Sequence, residues 1–163
     1  MPEKKTVEHA RRDKRAGKSP GTQAGEFVHE EIEHVREGKH GAKSTKQAIA
    51  IGLSKARRAG VKVPASKGDS AATKRKAAKD ESSASRPGKP SASRSAATKK
   101  ALKKAGTSAA SKSALSRQSK QAAGKRTASE RSAAARKAAH TKGAAGRSAA
   151  ARKAAHTRAH AHA

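Results

Sequence analysis

The large apolar residues of the chain are spaced like the buried faces of short helices. Two stripes repeat at i, i+4 and i+7, a spacing that places side chains on one face of an α-helix. The stripes are Val28, Ile32 and Val35, and Ile49, Leu53 and Ala56. A further helical segment covers about residues 3–16 and stops at Gly17, a residue suited to the position after a helix. The pattern therefore predicts three helices within the first 66 residues.

Capping residues mark the ends of the second and third helices. Ser19 followed by Pro20 is typical of an N-terminus, because serine caps the first turn and proline fits the first helical position. The sequence Ser-Thr-Lys-Gln that starts at Ser44 has the spacing of a capping box. These signals place the second helix between Ser19 and Gly38, and the third between Ser44 and Gly60.

Residues 67–163 contain no comparable stripe, and Leu102 and Leu115 are their only large apolar side chains. Ordering a residue costs roughly 1–2 kcal/mol of backbone entropy. Burial returns about 25 cal/mol per Å² of apolar area, of which alanine and serine offer little. Low hydrophobicity with high net charge is typical of disorder. We therefore expect a mostly α protein, in which a small three-helix N-terminal unit (1–66) precedes a long, intrinsically disordered basic tail (67–163) with transient helices.

The charge of the chain points to a class of partner. Its 163 residues include 40 Lys and Arg against 12 Asp and Glu, a formal net charge of +28. Residues 67–163 alone hold 25 of the cations and four of the acids. Such an excess favours a polyanion, above all nucleic acid. Duplex DNA is the predicted partner, with RNA as an alternative.

Other classes of function receive little support from the sequence. The chain has no cysteine, which excludes disulfides and thiolate zinc sites. No apolar run is long enough to cross a bilayer, and no membrane partner is expected. No paired acid and base, nucleophile or metal cluster stands out, so we expect neither enzymatic activity nor a cofactor. A cytoplasmic, nucleoid-associated location is predicted.

The string RSAAARKAAHT occurs twice, starting at Arg131 and at Arg147, within a 16-residue repeat that spans 131–157. Alanine, arginine and lysine are strong helix formers, and on a helix most of the alanines lie opposite Arg136, Lys137 and His140. Isolated helices of this length are marginal in water. We therefore predict a coil that becomes a cationic helix on a polyanion, with the glycines between the copies acting as joints.

Phosphate contacts carry no sequence information, so the predicted site is a set of cations rather than one essential residue. The set comprises Lys99, Lys100, Lys103, Lys104, Arg131, Arg136, Lys137, Arg147, Arg152 and Lys153, together with Arg86 and Lys89. If 6–10 phosphates are contacted, counterion release lowers affinity by about 10³–10⁵-fold between 50 and 200 mM salt. The predicted function is non-sequence-specific DNA binding, a mode that can also compact or bridge the duplex.

The stretch RRDKRAGKSPGTQAGEFVHEEIEHVREGKHGAKSTKQAIAIGLSKARRAGVKVP resembles a family of small, uncharacterised bacterial proteins. In that family a domain of unknown function precedes a basic Ala/Lys/Arg tail, and members are sometimes labelled DNA-binding or plasmid-stabilisation proteins. The resemblance covers roughly 1–66. It implies a bacterial cytoplasmic protein and offers no catalytic residues. Beyond residue 66, the composition resembles the tails of linker histones and of histone-like nucleoid proteins.

Two alternative functions remain open at the level of sequence. The same cations could contact structured or ribosomal RNA instead of DNA. Alternatively, residues 1–66 form a protein-interaction or regulatory module, which the tail tethers to DNA. Homodimerisation would enlarge the small core of these residues, although no sequence feature requires it.

Two short motifs could contribute to DNA recognition. The string RPGKP at 86–90 partly matches the extended core of an AT-hook, which lies in the minor groove, but a charged Pro/Gly linker explains it as well. Polar residues 44–47 could bring the first turn of the third helix to base edges, as in helix-turn-helix proteins. A solvated N-cap is the simpler interpretation.

The histidines give weak metal signals. His29 and His34 are five residues apart, whereas the helical zinc motif needs a spacing of four. The glutamates around them predict an exposed acidic face that could hold the basic tail at low salt, a face formed by Glu26, Glu30, Glu33 and Glu37. Near the end of the chain, pH-tunable cations are predicted, with adventitious metal binding as the alternative, at His156, His160 and His162.

Overall fold

The computed structural model describes residues 2–66, 68–85 and 91–160, and every regular element in these ranges is helical. The elements are α1 (Lys4–Arg15), α2 (Pro20–Arg36), α3 (Thr45–Arg58), α4 (Ala71–Ser85), α5 (Ala92–Lys104), a 3₁₀ turn η1 (Ser108–Ala110), α6 (Lys112–Gly124) and α7 (Ala128–His160). The chain divides into two compact units, Met1–Gln118 and Ser119–Ala163.

The three helices predicted for the first 66 residues are present as α1, α2 and α3, and α2 and α3 begin directly after the predicted caps Ser19 and Ser44. The Ser19 hydroxyl accepts a hydrogen bond from the Thr22 amide at 3.4 Å. The Ser44 hydroxyl accepts one from the Gln47 amide at 3.2 Å. Gly38 follows α2 with a φ of 71°, the left-handed conformation that ends a helix. Local sequence is therefore sufficient to place these three helices.

Helix α2 is the centre of the first unit and packs against α1, α3 and η1. Its two faces contribute to two apolar clusters. One cluster is built from Ile32, Val35, Ala42, Ala48, Ala109 and Ala110. The other is built from Ala10, Ala24, Phe27, Ala56 and Val61. Helix α4 packs on α3. Asp80 of α4 accepts hydrogen bonds from two residues of α3, the Ser54 hydroxyl at 2.7 Å and Arg58 Nε at 2.9 Å.

The prediction that the N-terminal unit consists of three helices is wrong. Residues from the second half of the chain complete the first unit, because Ala109 and Ala110 of η1 are buried against α2 and α3. The Thr45 hydroxyl donates a 2.6 Å hydrogen bond to the Ala109 carbonyl. Arg36 Nε donates one of 3.0 Å to the Ala110 carbonyl. The prediction for residues 67–163 was based on large apolar side chains alone, whereas in the structure the small side chains of Ala109 and Ala110 are buried between helices.

The prediction of a long disordered tail is also wrong. The described residues from 71 to 160 lie mostly in α4, α5, α6 and α7. Two causes account for the helices: a high content of alanine, lysine and arginine, and local caps that the prediction overlooked. At the start of α7, the Thr127 amide donates to Glu130 Oε2 at 2.8 Å and the Glu130 amide donates to Thr127 Oγ1 at 3.2 Å. These reciprocal bonds form a capping box.

In the second unit, α7 contains one break. Gly143 has φ 67° and ψ 172°, values outside the helical region, and divides α7 into two helical segments. Each segment carries one copy of the repeat. Gly146, which was also predicted to be a joint, lies within the helix after the break.

Candidate nucleic-acid interface and a buried ionic cluster

Four of the predicted phosphate contacts lie together on α5. They are Lys99, Lys100, Lys103 and Lys104, and all four are exposed. At 3.6 residues per turn their positions span an arc of about 140° on the helix. The sequence thus places four exposed cations on one side of α5.

Six further predicted contacts lie on α7, and all of them are exposed: Arg131, Arg136, Lys137, Arg147, Arg152 and Lys153. Because the two copies of the repeat are helical, each presents its Arg-Lys pair (136–137 or 152–153) on the side opposite most of its alanines. Unit Ser119–Ala163 holds eleven Lys and Arg against a single Glu. The unit, which holds the end of α6 as well as α7, is therefore strongly cationic.

Arg147 has a second role in α7. Its Nη1 donates a 2.7 Å hydrogen bond to the carbonyl oxygen of Ala139, on the other side of the break at Gly143. Carbonyl groups in the last turn of a helix lack intrahelical partners. Arg147 therefore satisfies one such carbonyl and joins the two segments, so it is less free to bind a phosphate than the corresponding Arg131.

Some predicted residues fall outside the described part of the chain. Arg86, Lys89 and the rest of the hook-like string lie there, as does His162. At the start of α3, Thr45 is buried and its hydroxyl bonds to Ala109, so it is not available to a base edge.

Helix α2 contains two buried carboxylates, and one of them, Glu30, belongs to the predicted exposed acidic face, so that prediction is wrong at this residue. Glu30 is 7 % exposed and Glu31 is fully buried. Lys55 of α3 lies between them, with its Nζ 2.7 Å from Glu31 Oε2 and 3.4 Å from Glu30 Oε1. One lysine thus faces two buried acids, and these contacts join α2 to α3.

Two histidines adjoin these acids. His34 of α2 has its Nε2 2.9 Å from Glu3 Oε1, and His40 in the loop after α2 has its Nε2 3.4 Å from Glu31 Oε1. One ligand atom from each of Glu31, His34 and His40 lies within 4.8 Å of the other two. We call these three residues the His–Glu cluster.

The cluster was not predicted from the sequence, because only the spacing of His29 and His34 was considered as a metal signal. In the structure His29 is exposed and lies 4.0 Å from Glu33, and His34 is instead near His40. Glu31 and His34 stand at i and i+3 on one helix face, which was a usable signal. The third member comes from a loop, and no local pattern could place it.

A groove of about 280 Å³ lies beside His34. Five of its lining residues are glutamates: Glu3, Glu26, Glu30, Glu33 and Glu37. A hydrogen bond from His34 holds the pKa of Glu3 below its usual value. The contact with Glu37 raises the pKa of Lys39. The groove is therefore an acidic region in a basic chain, and its ion pairs include Glu37 with Lys39 and Glu33 with Arg36.

Residues 4–67 match the model of a family of unknown function, DUF6496. This agrees with the resemblance of the N-terminal segment to an uncharacterised family. Neither the curated proteins nor the solved structures include a match to the chain. None of the helices in the described ranges combines the length and apolar character needed to span a bilayer.

Proposed function

We propose that the chain binds duplex DNA without sequence preference, through phosphate contacts made by α5 and by both segments of α7. The observation that carries the proposal is the exposure of ten predicted contact cations on these helices, in a chain of net charge +28. Rows of cations on preformed helices neutralise phosphates and release condensed counterions. The proposal includes a bacterial, nucleoid-associated role in the cytoplasm, without catalysis.

Helical order changes the expected binding mode. A disordered tail would lose conformational entropy on contact, whereas a helix that is already formed loses little. Binding should therefore leave the helical content nearly constant. The cations lie on α5 in one unit and on α7 in the other. Two separate cationic surfaces on one chain would allow it to contact two duplex segments and to bridge them.

The test measures duplex affinity over a salt series for the full chain and for a variant in which four α7 cations become glutamine: Arg136, Lys137, Arg152 and Lys153. Each lost phosphate contact should reduce the slope of log affinity against log salt by about 0.9. We expect the slope to fall by about 3 to 4 in the variant. An unchanged slope and affinity would exclude α7 from the interface.

A matched control separates the effect of lost charge from the effect of replacing the side chains. In this control the two arginines become lysine and the two lysines become arginine. The charge is kept, so the slope should be kept as well. Competition between duplex DNA and structured RNA at equal salt then identifies the preferred polyanion. Preference for RNA at every salt concentration would replace DNA by RNA in the proposal.

A further inference from the structure

We propose that Glu31, His34 and His40, the His–Glu cluster, bind a zinc ion in the first unit. The site lies on α2 and its following loop, among residues that the proposed DNA interface does not use. Two imidazoles and one carboxylate form a donor set that Zn²⁺ accepts with a fourth position open to water. Mg²⁺ and Ca²⁺ prefer sets made of oxygen alone.

The spacing of the donor atoms suits zinc. Zinc bonds to histidine nitrogen and carboxylate oxygen are about 2.0–2.2 Å long, so two ligands at a tetrahedral angle lie about 3.4 Å apart. His40 Nε2 and Glu31 Oε1 are separated by 3.4 Å. The third ligand, His34, has an atom within 4.8 Å of both.

Hydrogen bonds assign which ring nitrogens are free. The Glu3 carboxylate can only accept, so His34 Nε2 carries the proton in the 2.9 Å contact with Glu3. The Gly41 carbonyl can only accept too, so His40 Nδ1 carries the proton in the 3.3 Å contact with Gly41. Zinc-binding histidines usually donate their second N–H to a carboxylate or a carbonyl in this way.

In neutral rings, this assignment leaves lone pairs on His34 Nδ1 and His40 Nε2. The free nitrogen of His40 then faces the carboxylate oxygen Oε1 of Glu31 at 3.4 Å. Two lone pairs at that distance repel each other unless a proton or a metal ion lies between them. A zinc ion at this position converts the repulsion into two bonds.

Glu31 gives an independent indication that this position favours a cation. Its side chain is fully buried, yet neither carboxylate oxygen accepts a hydrogen bond within the described ranges. Lys55 Nζ is close to Oε2, at 2.7 Å, but outside hydrogen-bond angles. Lys55 also serves the buried Glu30, so one cation faces two carboxylates. Buried charges are normally paired or bound to a metal. A zinc ion would balance the negative charge that Lys55 alone leaves uncompensated.

The fold holds the loop ligand in position. Gly38 turns the chain back after α2, and two hydrogen bonds then fix the loop to the last turn of α5 and the segment after it. The Gly41 amide donates to the Leu102 carbonyl at 2.9 Å and the Ala42 amide to the Gly106 carbonyl at 3.1 Å. A β-carbon at position 41 would collide with the Ala105 carbonyl, so the close approach requires glycine. The site therefore exists only when the α5–η1 segment has folded onto α2.

The experiment titrates Zn²⁺ into the full chain in competition with a chromophoric chelator. The rings of His156 and His160 in α7 have centroids 4.2 Å apart and could take up zinc themselves, so both are alanine in the starting variant. We expect one tight site per chain. His34→Ala or His40→Ala should weaken it by at least about 100-fold, and Glu3→Gln by about 10-fold, because Glu3 orients the His34 ring.

The matched control is His29→Ala, which removes an exposed histidine from the same helix and should leave zinc affinity unchanged. Absence of a tight site in the starting variant, or equal affinities for His34→Ala and His29→Ala, would overturn the proposal. If His40→Ala loses its helical circular dichroism, NMR of the starting variant decides instead. Sub-stoichiometric Zn²⁺ should shift the ring signals of His34 and His40 before that of His29, and any other order rejects the site.

Discussion

The hydroxyl of Thr45 donates a 2.6 Å hydrogen bond to the carbonyl oxygen of Ala109, a residue 64 positions later in the chain. Both residues are buried. The bond ties the first turn of α3 to η1, and η1 in turn covers the end of α2 that carries Val35. The first unit thus contains a buried hydrogen bond between two parts that are far apart in sequence.

Replacing Thr45 by valine should destabilise the first unit by about 1–3 kcal/mol. Valine keeps the shape of threonine but removes the donor, and the buried Ala109 carbonyl then has no partner. Urea unfolding monitored by far-UV circular dichroism measures the loss. Thr98→Val on the exposed side of α5 is the matched control and should change stability by less than about 0.5 kcal/mol. Equal effects of the two substitutions would show that the bond between Thr45 and Ala109 contributes nothing.

Sequence alone was sufficient for elements whose signals are local. The apolar stripe of Val28, Ile32 and Val35 and the caps at Ser19 and Ser44 located α2 and α3, since each signal lies within the helix it defines. The later helices were missed for a different reason. Their sequences lack apolar stripes, and the helix-forming effect of their alanines was not enough to predict order. The burial of Ala109 and Ala110 was not predictable either, because it depends on side chains that lie 60 or more residues earlier in the chain.

The candidate sites divide in the same way. Exposed cations such as Lys99 and Arg136 are predictable, because charge keeps a side chain in water whatever the fold. The burial of Glu31 was not predictable, since an isolated glutamate favours the surface. It becomes buried here because Lys55 comes from another helix and His40 from a loop that α5 and η1 fix in place. Such clusters depend on tertiary contacts that no sequence pattern encodes locally.

Lys55→Met should destabilise the first unit by about 3–5 kcal/mol in zinc-free buffer, because it leaves the buried Glu30 and Glu31 without their lysine. Adding Glu31→Gln should restore part of the stability, since the second substitution removes one of the two unpaired charges. Urea unfolding of the single and double variants measures both effects. Lys46→Met, at an exposed position of α3, is the control. A loss no larger than that of the control, or no recovery in the double variant, contradicts the pairing.

The cap of α7 should depend on pH. A hydrogen bond from the Thr127 backbone amide holds the pKa of Glu130 below its usual value of 4.5. Because the folded pKa is lowered, the stabilisation is complete above the unfolded value and is lost as pH falls through the folded one. The Thr127 amide resonance, followed by NMR from pH 7 downwards, should therefore titrate with a midpoint below 4.5. In Glu130→Gln this titration should disappear, and a midpoint at or above 4.5 in the natural chain contradicts the cap.

Gly143→Ala should straighten α7. The φ of 67° and ψ of 172° at this position are accessible to glycine, whereas alanine pays about 1–3 kcal/mol there and favours the helix. The chain has no cysteine, so spin labels on Ser132→Cys and Ala154→Cys report a single distance by pulsed electron resonance. A continuous helix places these positions about 33 Å apart, and we expect the substitution to lengthen the distance to about that value. Gly146→Ala, at a glycine that is already helical, should leave the distance unchanged. If Gly143→Ala gives the same label-to-label distance as the unsubstituted glycine, the break is set by other contacts, foremost the hydrogen bond from Arg147 to the Ala139 carbonyl.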